Sequence, residues 1–292
     1  MILELEGIEY REQERLSGYC TFKVGGMGRL LIFPKDKDEI KKALAYCKNS
    51  NMRYMIIGNG SNILFSDEGF DGALIKIGRK MSRIDIEGEY IYAEAGILLS
   101  QLAARAAEKS LTGLEFAAGI PGTLGGAVCM NAGAYGGEMK DVIVSVDILE
   151  DGELKTYSNE ELRLSYRHSI ITENPELIVL GARLKLAIGD EQAIRERMRE
   201  LANARSSKQP LEYPSAGSTF KRPEGYYAGK LIEDSGLKGY RVGGACVSEK
   251  HCGFVVNDRN ATANDIKQLI KDVQDKVYRE FGVRLETEVK IV

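Results

Sequence analysis

The sequence predicts a mixed α/β or α+β fold in at least two domains. Three observations lead there. Short apolar strands alternate with segments of helical spacing from residue 30 onward. An Asp-Gly pair at 151–152 separates two strand-like runs, VIVSVDILE and ELKTY, as a hairpin turn would. The 292 residues exceed what a single hydrophobic core usually organises, and the polar stretch QPLEYPS at 209–215, with two prolines, offers a boundary.

The elements follow in order. LLIF (30–33) and YMII (54–57) read as buried strands, with Ile40, Ala43, Leu44 and Cys47 at helical spacing between them, a β-α-β unit. ALIKI (73–77) and YIYAEA (90–95) add strands, and Leu99, Leu102, Ala103 and Ala106 mark a helix. After the hairpin, ELIVLGARLKL (176–186) is a long strand. Residues 190–206 predict a charged helix with Ile194, Met198, Leu201 and Ala202 on one face. Thr262 or Asn264 caps a last helix, whose stripe is Ile266, Leu269, Ile270, Val273, Val277 and Phe281 and whose stop is Gly282. VRLETEVKIV (283–292) predicts a closing strand.

Composition excludes several classes. The 40 basic and 43 acidic residues leave a net charge of −3, without the basic excess of a duplex nucleic-acid binder. No apolar run approaches the roughly 20 residues a membrane helix needs. The N-terminal MILELEGIEYREQERL carries charges throughout, so no signal peptide is expected and the default compartment is the cytoplasm. Five widely spaced cysteines (Cys20, Cys47, Cys129, Cys246, Cys252) argue against a disulfide framework and are expected as small buried thiols in strands. With only His168 and His251, and no C-x2-C pair, no metal is expected.

Glycine is the compositional outlier, 32 residues against 6 prolines. Five glycines fall in 58–78, eight in 113–137 and eight in 217–253, so the excess has addresses. Gly58-Asn59-Gly60-Ser61-Asn62 follows a buried strand and exposes successive backbone N–H groups, as a plain turn or as a phosphate cradle. It is not a complete dinucleotide fingerprint, because the third glycine and the following helix are missing. Ala117–Ala127 and Asn131–Gly137 let backbone approach a ligand, or pack a tight turn. No Walker A sequence occurs. Ser215–Pro223 sets a serine, Ser218, between glycine and a basic pair; it is an exposed basic turn or a ligand site, and not a nucleophile elbow.

Seven segments in order carry a resemblance: TFKVGG (21–26), IIGNGSNIL (56–64), AGIPGTLGGAVCMNAGAYGGE (118–138), SYRHSI (165–170), SSKQPLEYPSAGSTFKRP (206–223), AGKLIEDSGLKG (228–239) and LETEVKI (285–291). Together they resemble the UDP-N-acetylenolpyruvoylglucosamine reductase (MurB) family of peptidoglycan precursor synthesis, in its second, shorter type. The resemblance implies an α+β fold: a two-part FAD-binding region of the vanillyl-alcohol-oxidase-like (PCMH-type) fold plus a C-terminal α+β substrate domain. The implied domains are 1–78, with 286–292 returning to it, then 79–207 and 208–285. It also implies tightly bound FAD, NADPH as co-substrate, a small-molecule UDP-sugar substrate, and a cytoplasmic monomer serving cell-wall biogenesis, cell shape and cell division.

Residue by residue, the resemblance assigns FAD contacts to Val24, Gly25, Gly26, Gly58, Asn59, Gly60, Ser61, Asn62, Gly119, Ile120, Pro121, Gly122, Thr123, Gly125, Gly126 and Ala127. In the family reaction, hydride reaches the vinyl carbon of the substrate and leaves an enolate that needs charge stabilisation and a proton. By resemblance Ser218 delivers the proton, which its low acidity permits only because the enolate carbon is very basic. Arg167 pairs with the carboxylate and its developing charge. Glu288 assists at the same enolate and would need to be partly protonated, since an anion would repel it. Glu286, two residues earlier, is its competitor. Tyr166, Lys208, Lys221, Arg222 and Lys238 are the substrate-binding candidates, Arg222 standing where many relatives carry asparagine. His168 and Cys129 are given no chemical role. The rival functions are another FAD-dependent oxidoreductase or oxidase of the same fold, and a non-enzymatic nucleotide-binding protein.

Overall fold

The computed structural model describes residues 2–292. The chain forms two compact units. The first contains the N-terminal residues through Arg11, Leu30–Asn59 and Gly72–Arg205; the second contains Glu12–Arg29, Gly60–Asp71 and Ser206–Val292.

The first unit has its own core beneath a five-stranded antiparallel sheet. The strand order is Glu153–Ser158, Ile143–Glu150, Ile178–Lys185, Tyr90–Glu94, Ile84–Glu87. Alternate residues Ile91 and Ala93, Val146 and Ile148, and Ala182 and Leu184 are completely buried, the period-two pattern of a sheet with one covered face. The helix Leu99–Glu108 buries Leu99, Leu102, Ala103 and Ala106 in the same core, at the predicted spacing. The hairpin turns at Asp151 and Gly152, with φ of 51° and 79°. Two positive φ values make the turn whose twist suits a hairpin, which is why Asp-Gly marks it.

A second sheet runs in the order Glu9–Arg15, Met27–Phe33, Phe70–Lys76, Tyr54–Ile57. The two strands flanking the helix Lys37–Asn49 are therefore not neighbours: Phe70–Lys76 lies between them, parallel to Tyr54–Ile57. Asp36 caps that helix by accepting from the Glu39 N–H at 2.8 Å, and Ile40, Ala43 and Cys47 are its buried stripe.

The second unit holds a three-stranded antiparallel sheet, Arg241–Val242, Ala245–Val247, Val255–Asn257, beside the helix Ala263–Phe281. Thr262, not Asn264, is the cap: its hydroxyl accepts from Asp265 N at 3.0 Å while the Asp265 carboxylate accepts from Thr262 N at 2.9 Å. Asp67 takes the next two N–H groups, of Ala263 at 2.7 Å and Asn264 at 2.9 Å. Gly282 ends the helix at φ 68°, as predicted.

Four expectations need correction. Residues 283–292 are not one strand. Only Lys290–Ile291 is, parallel to Ile63–Leu64, while Thr287 bridges to Phe220; two separate partners leave no single ladder ten residues long. Ala202 is exposed, one residue past buried Leu201 and already turned off the face. Phe281, at the helix end where the core runs out, is 40% exposed. The thiols are mostly buried, but only Cys246 lies in a strand; Cys47 and Cys129 are helical. Among the described residues no helix is long and apolar enough to cross a membrane.

Candidate active site

The first glycine loop leaves the strand Tyr54–Ile57 at Gly58. Lys76 is paired with Ile57 in register, and its Nζ donates to the Gly58 carbonyl at 2.6 Å. Burial lowers the Lys76 pKa, so this ammonium is a half-buried cation fixed under the loop. Asn59 Nδ2 donates to the Pro121 carbonyl at 2.7 Å, which ties the first glycine cluster to the second. Gly60 is obligatory: φ is +66°, and a Cβ there would lie 2.1 Å from the Tyr19 carbonyl oxygen.

The free donors decide what these loops suit. Among the described residues, the backbone N–H groups of Asn59, Gly60, Ser61, Gly119, Gly122 and Thr123 donate to no protein acceptor. Unpaired N–H groups in glycine-rich loops are what a diphosphate binds. The residues present thus fit the FAD that the resemblance implies. Part of the second cluster is helical: Leu124, Gly125, Gly126 and Ala127 open the helix Leu124–Met130.

Arg167 sits in a strained turn. Ser165 and His168 exchange both backbone hydrogen bonds at 3.1 Å, so Tyr166 and Arg167 form a two-residue turn. Arg167 has φ 56°, a left-handed conformation that a side-chain-bearing residue adopts only when its surroundings enforce it. Its Nη2 reaches the Gly133 carbonyl at 3.4 Å, and its guanidinium stands over the Tyr166 ring, 5.1 Å from the centroid.

Two buried side chains enforce that turn. Asn131 is completely buried; its Nδ2 donates to the Ser165 carbonyl at 3.1 Å and its Oδ1 accepts from Lys140 N at 2.8 Å. Ser169, also completely buried, donates to the Cys129 carbonyl at 2.6 Å. Sequence reasoning missed both, although an asparagine after a short helix is a favoured left-handed cap and Asn131 is one, at φ 43°. His168 bonds Glu173 Oε1 at 2.9 Å and the Arg163 carbonyl at 3.3 Å.

In the second unit another group assembles. Leu16 N donates to Gly26 O at 2.9 Å, and Gly26 N to Ser66 O at 2.8 Å; Cys20 Sγ meets Val24 O at 3.2 Å. Thr21 N donates to Gly60 O at 3.1 Å, joining Val24–Gly26 to the Gly60–Asn62 loop. Asn62 in turn donates through Nδ2 to the Glu288 carbonyl at 2.9 Å. Glu288 N donates to Thr219 O at 2.8 Å and Lys221 N to Glu286 O at 2.9 Å, so the segment after Gly217 pairs with the Glu286–Glu288 segment. Buried Thr219 pins it from behind, its hydroxyl accepting from Val255 N at 3.0 Å. Ser218 and Glu288, seventy residues apart in the chain, are thereby neighbours through Thr219, and both are half-buried.

The two glutamates separate. Glu286 is exposed and pairs with Lys221 at 3.2 Å, while Glu288 is the more buried. Of the substrate candidates, Arg222 lies over the Tyr227 ring at 4.8 Å and Lys238 reaches Glu233 at 3.5 Å. Lys208 closes the helix Glu191–Lys208 and is exposed. Tyr166 is 52% exposed. Arg167 belongs to the first unit, Ser218 and Glu288 to the second.

Comparison with known proteins adds independent findings. Residues 209–292 match the family model described as the UDP-N-acetylenolpyruvoylglucosamine reductase C-terminal domain, and residues 29–158 that of an FAD binding domain. The chain is 52% identical over 280 residues to the UDP-N-acetylenolpyruvoylglucosamine reductase of Alkaliphilus oremlandii, covering 96% of this chain and 92% of that one. It is 52% identical over 294 residues to the same-named protein of Agathobacter rectalis, covering 96% and 93%. Among solved structures it is similar to UDP-N-acetylenolpyruvylglucosamine reductase (MurB) from Thermus caldophilus, with TM-score 0.84 and 38% identity over 97% of this chain and 98% of that one.

Proposed function

The chain belongs to the UDP-N-acetylenolpyruvoylglucosamine reductase family, and from that premise we propose that it catalyses the NADPH-dependent, FAD-mediated reduction of UDP-N-acetylglucosamine enolpyruvate to UDP-N-acetylmuramate. The observation that carries this reading is the pairing of the Ser218 turn with Glu288 through the 2.8 Å Glu288 N to Thr219 O bond. It brings the Ser218 backbone within one residue of the strand position opposite Glu288, on a segment whose Thr219 hydroxyl is bonded to Val255 N.

The roles divide as follows. Bound FAD supplies the passage of hydride from NADPH to the vinyl carbon of the substrate. The unpaired N–H groups of Asn59, Gly60, Ser61, Gly119, Gly122 and Thr123 hold the cofactor's diphosphate, with the remaining contacts among Val24, Gly25, Gly26, Gly58, Asn62, Ile120, Pro121, Gly125, Gly126 and Ala127. Arg167 faces the substrate carboxylate and stabilises charge that develops there; a guanidinium offers fixed, planar donors for this. Its strained turn keeps that group in place before substrate arrives, which is where stored strain is useful. Ser218 Oγ–H gives its proton to the substrate carbon next to the carboxylate, and Glu288 assists at the same carbon.

Lys208, Lys221, Arg222 and Lys238 supply positive charge for the sugar nucleotide, and Tyr166 a ring beside Arg167. The Lys221 ammonium is shared with Glu286 and that of Lys238 with Glu233, which weakens the pull of each on a phosphate. Domains at 1–78 with 286–292, 79–207 and 208–285 remain our reading; the parallel pairing of Lys290–Ile291 with Ile63–Leu64 supports the return of the C-terminus. A cytoplasmic monomer is the matching expectation.

Ser218→Ala tests the proton donor. NADPH should still bleach the flavin, while its reoxidation by substrate slows by about 10²–10⁴-fold. Unaltered turnover in that variant would remove Ser218 from the mechanism.

A further inference from the structure

We propose that Lys76 is a positioning residue for the first glycine loop: its ammonium turns the Gly58–Asn59 peptide so that the Asn59 N–H faces the cofactor's diphosphate. The inference rests on the reading that this chain carries FAD.

Register brings the two together. Lys76 lies opposite Ile57, the last residue of the strand Tyr54–Ile57, so its side chain starts beside the point where the chain leaves the sheet. Its Nζ donates to the Gly58 carbonyl at 2.6 Å. A trans peptide is planar, with its N–H directed opposite to its C=O, and the described residues contain no cis peptide. Pulling the Gly58 oxygen toward Lys76 therefore turns the Asn59 N–H the other way. That N–H donates to no protein acceptor. Two contacts hold the same peptide against the second glycine cluster. The Asn59 side chain donates to Pro121 O at 2.7 Å. Gly58 packs so closely on Thr123 that a Cβ would lie 2.3 Å from the Thr123 hydroxyl oxygen.

The choice of a cation is a second observation. Lys76 is half-buried, and among the described residues it makes no ion pair. Burial lowers its pKa and no carboxylate opposes that. A neutral donor would satisfy the carbonyl without the cost of a partly buried charge. An anion on the far side of the peptide accounts for the ammonium. The ammonium polarises the Gly58 C=O, which strengthens the Asn59 N–H as a donor, and its own field favours a negative group there.

The test uses purified holoenzyme of the wild type, Lys76→Met and Lys76→Arg. FAD release on dilution is followed by recovery of flavin fluorescence, and the phosphorus NMR resonances of bound FAD report on the diphosphate. Lys76→Met keeps an unbranched side chain and removes the donor and the charge. It should release FAD about tenfold faster or more, because a charged hydrogen bond is lost, and should shift at least one phosphorus resonance while the visible spectrum of the bound ring stays put. Lys76→Arg keeps the charge and the donors and should stay within about threefold of wild type. Release from Lys76→Met within about twofold of wild type overturns the proposal. Faster release with every phosphorus resonance in place also overturns it, as does equally fast release from Lys76→Met and Lys76→Arg; the lysine would then only pack the strand. Should Lys76→Met not fold, Lys76→Gln, one bond too short to reach the carbonyl, takes its place with the same expectations. A colourless wild-type protein sinks the flavin reading as a whole, whereas a yellow wild type indifferent to Lys76→Met sinks this proposal alone.

Discussion

Asn131→Asp isolates the tie between the second glycine cluster and the Arg167 turn. Aspartate keeps the size, the tolerance of left-handed backbone and the acceptor for Lys140 N. It replaces the Nδ2 donor, now 3.1 Å from the Ser165 carbonyl, with an oxygen. One hydrogen bond is lost and two acceptors are brought together in a position where Asn131 is completely buried. Losing a buried partner costs about 1–3 kcal/mol. Ser165 itself is exposed, so water can turn to its carbonyl and hold the cost toward about 1–2 kcal/mol. If that energy now holds Arg167 in its strained turn, the step Arg167 serves should slow roughly 5- to 30-fold. Stopped-flow half-reactions check this. Flavin reduction by NADPH should be unchanged, and reoxidation by the enolpyruvyl substrate slower. Asn131 has no hold on the Arg167 turn if Arg167→Lys slows reoxidation while Asn131→Asp stays within about twofold of wild type.

Two further predictions concern stability. Thr262→Ala removes the acceptor for Asp265 N; because Asp67 still caps the next two N–H groups, the loss should be about 1 kcal/mol or less, seen as a lower urea midpoint with no change in flavin spectrum. His251 has its pKa lowered by burial, so the unfolded chain takes up its proton more readily than the folded one. Its share of stability is full above the ordinary histidine value of about 6.5 and is lost as pH falls below it. His251→Gln should flatten the fall of the urea midpoint between about pH 6.5 and 5, and an unchanged slope would clear His251 of that role.

What was legible in the sequence was local. The helices announced themselves through stripes such as Ile266, Leu269, Ile270, Val273 and Val277, every one of them buried. Asp151-Gly152 named its turn because few residues accept two positive φ values in succession. The glycine clusters were visible, but their meaning was mixed. Gly60 is required by a neighbouring carbonyl in the protein's own chain, while the unpaired N–H groups beside it face outward from the fold's own bonding. Composition alone does not separate those two uses.

The long-range polar ties left no trace in local pattern. Asn131 meets Ser165 across 34 residues and Asn62 meets Glu288 across 226. Neither follows any helical or strand period. The tail misled for a related reason. Alternation in VRLETEVKIV is the same whether it joins one strand or, as here, bridges Phe220 and then pairs with Ile63–Leu64. Within the first of those pairings Glu286 lies exposed beside Lys221, while half-buried Glu288 lies opposite buried Thr219.

The most direct measurement is the stoichiometry of NADPH oxidation by the purified yellow protein, with and without UDP-N-acetylglucosamine enolpyruvate. Our account expects one NADPH consumed for each UDP-N-acetylmuramate formed, and only slow oxidation without the sugar nucleotide. NADPH consumption that ignores the sugar nucleotide and yields an equal amount of hydrogen peroxide would contradict it and make the protein an oxidase.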